Sequence, residues 1–393
     1  MIMAQSFNLV TDPWLRVVDR TTNQTQTVSL DEFFRHAQDY RQLAGDMRTQ
    51  DLTILRFLLA ILTTVYSRLD ADDQPYDWLT IDQATSEVRA TDEDAFDTEA
   101  LWETWEQLSH AGHFSASVTR YLQQHLDRFD LFGAQPFYQV TAAEYDAVVP
   151  TKKRVATGTG QVAIKQINRR ISESANSPAL FAPKTADTKN DIELADLARW
   201  LITYQNFTGV TDKTKIETTE KFSNPAGWTY RLNPVFAQGD SLFESLLLNL
   251  VLVGPTVSDE VVQQRPVWES PSLQAYVDQR RKQLLPDNLA ALYTDWSRLL
   301  HLEWDDQGHV QIFSAGLPMY SAEGALIEPM TTWRWDKKIA TFRPAAQSLH
   351  SLGKAMWQNF GQYVKVTQSD QDHEPDLVRW LQDLKDRGLI PRT

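Results

Sequence analysis

The stretch DLTILRFLLAILTTVYSRL, residues 51–69, decides how the rest of the chain is read. Leu52, Leu55, Leu58, Leu59, Leu62, Val65, Tyr66 and Leu69 recur at intervals of three and four, the spacing of one helical face. A helix with so broad an apolar face has to be covered by other elements, so this segment is expected to be the core. Upstream, FNLVTDPWLRVV (7–18) predicts a strand, a Thr-Asp-Pro turn and a second strand, with Pro13 forcing the break. Ser29 stands three residues before Glu32, the spacing of a capping box, and predicts a helix opening there.

Downstream, the acidic runs Asp70–Asp73 and Asp92–Asp97 read as solvated loops or helix starts, and Trp102–Phe129 as mostly helical, stopped by Gly133 and Pro136. Helical pattern returns over Asp191–Tyr204, at SLFESLLLNLVLVG (241–254) with Ser241 and Glu244 at capping spacing, and over Leu273–Leu300. HLEWDDQGHVQIFSAGLPMYSAEGALIEPM (301–330) instead alternates and turns at Gly308 and Gly316, predicting strands and a hairpin. Helical patches near Leu349–Tyr363 and Asp376–Leu389 finish the chain, and there is no internal repeat. The expected fold is α+β: a large, mainly helical globular domain with small antiparallel strands and hairpins.

The composition is that of a globular protein, and 393 residues are ample for a large core. An aromatic share of 11% is more than that core strictly needs, so some rings are expected to face partners. The absence of cysteine excludes disulfides, zinc ribbons, iron-sulfur clusters and thiol nucleophiles, and suits a reducing cytoplasm. MIMAQSFNLVTDPWLRV has no basic segment followed by an apolar one, so no signal peptide is read. ILRFLLAILTTVY (54–66) and SLLLNLVLVG (245–254) are too short or too interrupted for a bilayer. The expectation is a soluble, cytoplasmic protein with no membrane partner. Its net charge of −14 argues against a generic nucleic-acid coat, so any such contact must be local.

KKRVATGTGQVAIKQINRR (152–170) is where it could be local. Six of the 38 basic residues fall here, and no acidic residue stands between Ala147 and Ser172. The segment 147–188 reads as a long loop with one short helix near Ile164–Ile171, and long loops in compact domains are often functional. One reading is a solvated charged loop. The other is a set of phosphate contacts made by Lys152, Lys153, Arg154, Lys165, Arg169 and Arg170. A second polar loop, Thr208–Lys215, joins Gly209, whose main chain can approach a ligand, to Thr211, Lys213, Thr214 and Lys215 as donors. The plain alternative for Gly209 is a helix C-cap.

Catalytic signals are thin. His110 and His113 form H-x-x-H, and Asp370, Asp372, His373 and Glu374 form D-x-D-H-E; either could hold a metal in a hydrolase, or be solvated polar surface. There is no G-x-S-x-G elbow, no P-loop and no G-x-G-x-x-G, so no cofactor is implied.

FNLVTDPWLRV, LDEFFRHAQDYRQLAGDMRTQDLTILRFLLAIL, FDLFGAQPFYQV, SANSPALFAPK, LARWLITYQNF, DSLFESLLLNLVLV and EPMTTWR follow one another along the chain. In series they resemble the CasA family, large subunits of the type I-E CRISPR surveillance complex Cascade. The resemblance implies a non-catalytic subunit whose partners are other Cascade subunits with guide RNA, duplex DNA carrying a short adjacent motif (the PAM), and a recruited helicase-nuclease. It implies that SANSPALF (174–181) is a flexible loop near the guide end and the PAM, adding Asn176, Phe181 and Lys184 to the DNA-binding residues. It likewise makes NFTGVTDKTK (206–215) the PAM-reading glycine loop, with Thr208, Gly209, Thr211, Lys213 and Lys215, although only one glycine is present. Around Tyr320–Gly324, where some members carry a lysine finger, this chain has no lysine. Residues 1–365 would then be the family's N-terminal α+β domain, and 366–393 the start of a connection toward a four-helix bundle that this sequence lacks.

Overall fold

The computed structural model describes residues 6–158, 161–162, 167, 191–209, 214–219, 221–223, 225–253, 263–305, 308–345 and 372–391. Helix α2 (Arg48–Tyr66) runs through its centre, buried on every side from Leu52 to Tyr66 and not only along the predicted face. It is flanked by α6 (Leu194–Asn206) and α9 (Leu289–Tyr293), and touched by α4 (Ala116–Gln124) and α7 (Leu242–Asn249). Apolar residues from both ends of the chain join this core, from Leu9 to Leu384.

The N-terminal sheet has the order β2-β1-β3, antiparallel throughout, with β1 Leu15–Asp19, β2 Thr25–Val28 and β3 Tyr40–Leu43. The first of the two strands expected in residues 7–18 is only a bridge from Asn8 to Asp130. Asp12 accepts the Asn8 N–H at 2.7 Å and turns the chain instead. Helix α1 (Leu30–Arg35) opens where predicted, with Ser29 Oγ accepting the Glu32 N–H at 3.2 Å. A hairpin of β4 (Leu79–Ile81) and β5 (Val88–Thr91) follows.

Three expected helices are interrupted. Trp102–Phe129 is two helices, α3 (Thr98–Ala111) and α4, because Gly112 takes the left-handed conformation (φ +71°) and caps α3. α5 (Ala142–Val148) follows behind Thr141. α7 stops at Asn249, whose side-chain amide donates to Ser245 O (2.6 Å) and Ala237 O (2.7 Å). The predicted helix 273–300 is α8 (Leu273–Arg281), a break, the short α9 capped by Asn288, and then a strand. That strand, β7 (Arg298–Trp304), pairs along its whole length with β8 (Val310–Gly316), from Arg298 opposite Gly316 to Trp304 opposite Val310. Gly308 (φ +81°) lies in the turn, whereas Gly316 ends the strand and does not turn it.

β6 (Gln161–Val162) lies on the other edge of β8. A last sheet has the order β10-β9-β11, with β9 Trp333–Asp336, β10 Thr341–Pro344 and β11 Asp372–His373. Helix α10 (Asp376–Asp386) buries Leu377, Trp380 and Leu384 in the common core, and Trp380 stacks on Trp102 with ring centres 4.6 Å apart. The architecture is α+β as expected. Among the described residues no helix is long and apolar enough to cross a membrane.

Candidate nucleic-acid interface

Strand β8 is where the two segments singled out in the sequence meet. The glycine loop leaves from α6, whose C-cap is Phe207, with its N–H on Thr203 O at 2.8 Å. Gly209 is therefore not the cap, and its φ lies outside the left-handed region. Thr208 and Gly209 are both buried. The Gly209 carbonyl accepts from Arg298 Nη2 at 3.0 Å, and the same nitrogen donates to Pro225 O at 3.1 Å. Arg298 is 1% exposed, and its guanidinium lies over the Tyr204 ring at 4.5 Å.

The loop returns on Gly316, which donates its N–H to Thr214 O (2.9 Å) and accepts the Ile216 N–H (3.1 Å). Arg298 and Gly316 face each other across β7 and β8, so a single cross-strand pair holds both ends of the loop. Both supporting glycines are steric requirements. A Cβ on Gly316 would stand 2.5 Å from the Pro225 ring, and one on Gly227 2.2 Å from the backbone carbon of Asn206. Gly227 also gives its N–H to Thr208 O at 2.9 Å. Lys215 bridges to Gly316 and directs its ammonium to Phe222 O, above the Phe222 ring. Thr211 and Lys213 lie outside the described residues.

The basic segment reaches β8 from the other edge. Its first residues form two short 3₁₀ turns, Thr151–Lys153 and Val155–Thr157. The Asp146 carboxylate supports the second turn by accepting the Val155 N–H at 2.6 Å. Lys152 and Lys153 are exposed and Arg154 is half-buried. The chain then pairs through β6, Gln161 opposite Phe313 and Val162 opposite Ile312, three to four residues before Gly316. Lys165, Arg169, Arg170, Asn176, Phe181 and Lys184 lie outside the described residues.

Of Tyr320–Gly324, the first four residues border a cavity of about 390 Å³ whose lining includes Trp228, Leu232, Met319, Arg343 and Pro344. Tyr320 itself is fixed inside: its hydroxyl donates to Asp295 at 2.9 Å and the Arg280 guanidinium lies 3.9 Å from its ring centre. Burial pushes the Tyr320 hydroxyl well above its ordinary pKa, the nearby Arg280 charge notwithstanding. Two arginines line this cavity, Arg280 buried against Asp295 and the more exposed Arg343, paired with Glu323 at 2.9 Å.

The residues weighed as metal ligands are otherwise engaged or apart. His110 is exposed in the last turn of α3, and His113 Nδ1 is 3.0 Å from Phe114 O. Glu374 is buried and receives Arg379 Nε at 3.1 Å, while Asp370 lies outside the described residues. Among the described residues no group of three or more His, Asp or Glu stands close enough to hold a metal ion.

Sequence reasoning found both loops but missed Arg298, Gly316 and Gly227 as the residues that hold one of them. Its only signal was the turn expected at Gly316.

No curated protein matches the sequence. Among solved structures, the Cse1 of Thermobifida fusca is 24% identical with a TM-score of 0.70, over 99% of this chain and 68% of that one. A Thermus thermophilus protein named both CasA and Cse1 is 20% identical with a TM-score of 0.62, over 98% and 68%. A chain of a CRISPR RNA-guided surveillance complex is 15% identical with a TM-score of 0.67, over 98% and 70%. At these identities the likeness is one of fold, and this chain spans about two thirds of the length of each. The sequence model of the CRISPR-associated protein Cse1 family matches residues 8–392, and the chain belongs to that family.

Proposed function

We propose that this chain is the large, non-catalytic subunit of a type I-E CRISPR RNA-guided surveillance complex acting in the cytoplasm. In this reading guide pairing identifies the target, while the chain recognises the PAM in duplex DNA, helps open the duplex and recruits a separate helicase-nuclease. The observation that carries the reading is the family match across residues 8–392. The fold shared with a chain of such a complex supports it. So does the attachment of a basic segment and a glycine loop to one strand, β8. A protein of net charge −14 can engage phosphate only where cations are gathered, and Lys152, Lys153 and Arg154 begin such a gathering. Base pairing reads sequence and the protein reads a short motif in RNA-guided effectors of another type, the same division of labour.

Assembly is the test. Mixed with a guide-loaded complex lacking its large subunit, the purified chain should co-elute with it on a sizing column. Failure to associate would contradict the proposal, as would guide-independent cleavage of DNA by the chain in magnesium or manganese that is lost in His110→Ala or Asp372→Ala.

A further inference from the structure

The sequence reading gives Gly209 its missing side chain so that its main chain can approach a ligand. The geometry supplies a different reason. Gly209 is buried, and a Cβ built on it would lie 2.6 Å from Tyr230 Cζ, 2.8 Å from Tyr230 Oη and 3.0 Å from Cε2. The Tyr230 ring thus rests directly on the Gly209 main chain, and Arg298 holds the carbonyl of that same residue.

The backbone that carries Tyr230 is fixed in its place. The residue belongs to the 3₁₀ turn Trp228–Arg231, and its N–H bonds Gly227 O at 3.1 Å. Its neighbour Thr229 is fully buried, with Oγ1 on Asn206 O at 2.7 Å. Phe207 meets the ring edge-on, with centres 5.8 Å apart. Despite these constraints Tyr230 is 36% exposed, in a chain whose described aromatic side chains are mostly buried. An exposed ring with so rigid a seat is held for contact, since burial would hide it and a merely solvated tyrosine needs no glycine beneath it.

We infer that Tyr230 is a nucleic-acid contact at the root of the glycine loop, and that Gly209 is glycine to seat the ring, not to admit DNA. The ligand class is a nucleobase freed at the edge of the opened duplex, which an aromatic face can stack upon whatever its sequence. The inference rests on the proposed DNA-recognition role. Loss of one base–aromatic stack weakens binding by roughly 5- to 150-fold.

The experiment uses the assembled complex and measures binding to PAM-bearing and PAM-less duplexes, scoring variants that incorporate and melt like the parent. Tyr230→Ala should weaken PAM-bearing duplex by roughly 5- to 150-fold. Tyr230→Leu, which fills the seat without an aromatic face, should do the same if Tyr230→Ala does not fold. Tyr230→Phe, which keeps the ring, should recover most of the loss. Gly209→Ala should weaken binding in the parent but add nothing in the Tyr230→Ala background, because residues in contact are not additive. Equal cost of Gly209→Ala in both backgrounds would overturn the inference, as would parental affinity in Tyr230→Ala or Tyr230→Leu. A parent complex that does not prefer PAM-bearing DNA would instead bring down the functional reading itself.

Discussion

Arg56 lies in the middle of the buried helix α2 with none of its side chain exposed, and its two terminal nitrogens donate to both oxygens of Glu328 at 2.8 Å. The Glu328 carboxylate also accepts the Met330 N–H at 3.1 Å and Trp228 Nε1 at 2.7 Å. Burial alone would lower the Arg56 pKa, but the Glu328 charge and hydrogen bonds outweigh it and hold the guanidinium above its ordinary value. The pair ties α2 to the turn that carries Tyr230. Breaking such a pair strands the surviving charge, so Arg56→Met should cost about 3–5 kcal/mol in urea unfolding, with most of it regained when Glu328→Gln is added. A loss below about 1 kcal/mol, the value typical of exposed pairs, would contradict this.

Asp73 is a milder case with a pH signature. Burial raises its carboxyl pKa, but hydrogen bonds from Ser117 and Ser115 and the Arg120 charge bring it below the ordinary value. Its folded pKa is thus depressed relative to the unfolded chain, so its contribution to stability is full above the unfolded pKa and disappears as pH falls through the folded one. Asp73→Asn should therefore lower the denaturation midpoint at neutral pH, and the gap from the parent should close in acid. A gap that is constant with pH would rule the carboxylate out as its source.

At the scale of elements, what the sequence made legible was local. Ser29 and Ser241 marked helix starts because a cap needs only a side-chain oxygen and the N–H three residues on. Arg298–Leu300, expected as the end of a helix, instead open the strand that the expected alternation from His301 continues, since a short apolar run fits either period. What makes it a strand is pairing with β8, a contact no local pattern records. The site divides the same way. Two loops stood out by composition, yet their meeting on β8 depends on non-local pairing, and a buried Arg298 has the same letter as a surface arginine. Replacing Lys152, Lys153, Arg154, Arg169 and Arg170 by Ala should weaken DNA binding of the assembled complex for every sequence and leave PAM preference intact. The slope of log K against log salt should flatten by about 0.9 for each phosphate that is no longer neutralised. Unchanged affinity and slope would make the segment a solvated loop.

At the scale of the molecule, the aromatic residues expected to face partners are, among those described, largely buried. Trp14, Trp105, Trp200, Trp333 and Trp380 are fully buried, and Phe57 packs edge-on against Trp14, Phe129, Phe137, Tyr138 and Trp268. The core consumes these rings because it gathers segments from both ends of the chain around α2. Among the described residues few large rings are left exposed, Tyr230, Phe236 and Trp335 among them, and these are the more informative for that. The most direct measurement is the affinity of the guide-loaded complex, with and without this chain, for target duplexes that do and do not carry the PAM. The account predicts a preference for the PAM-bearing duplex that appears only when the chain is present; the same ratio in its absence would contradict it.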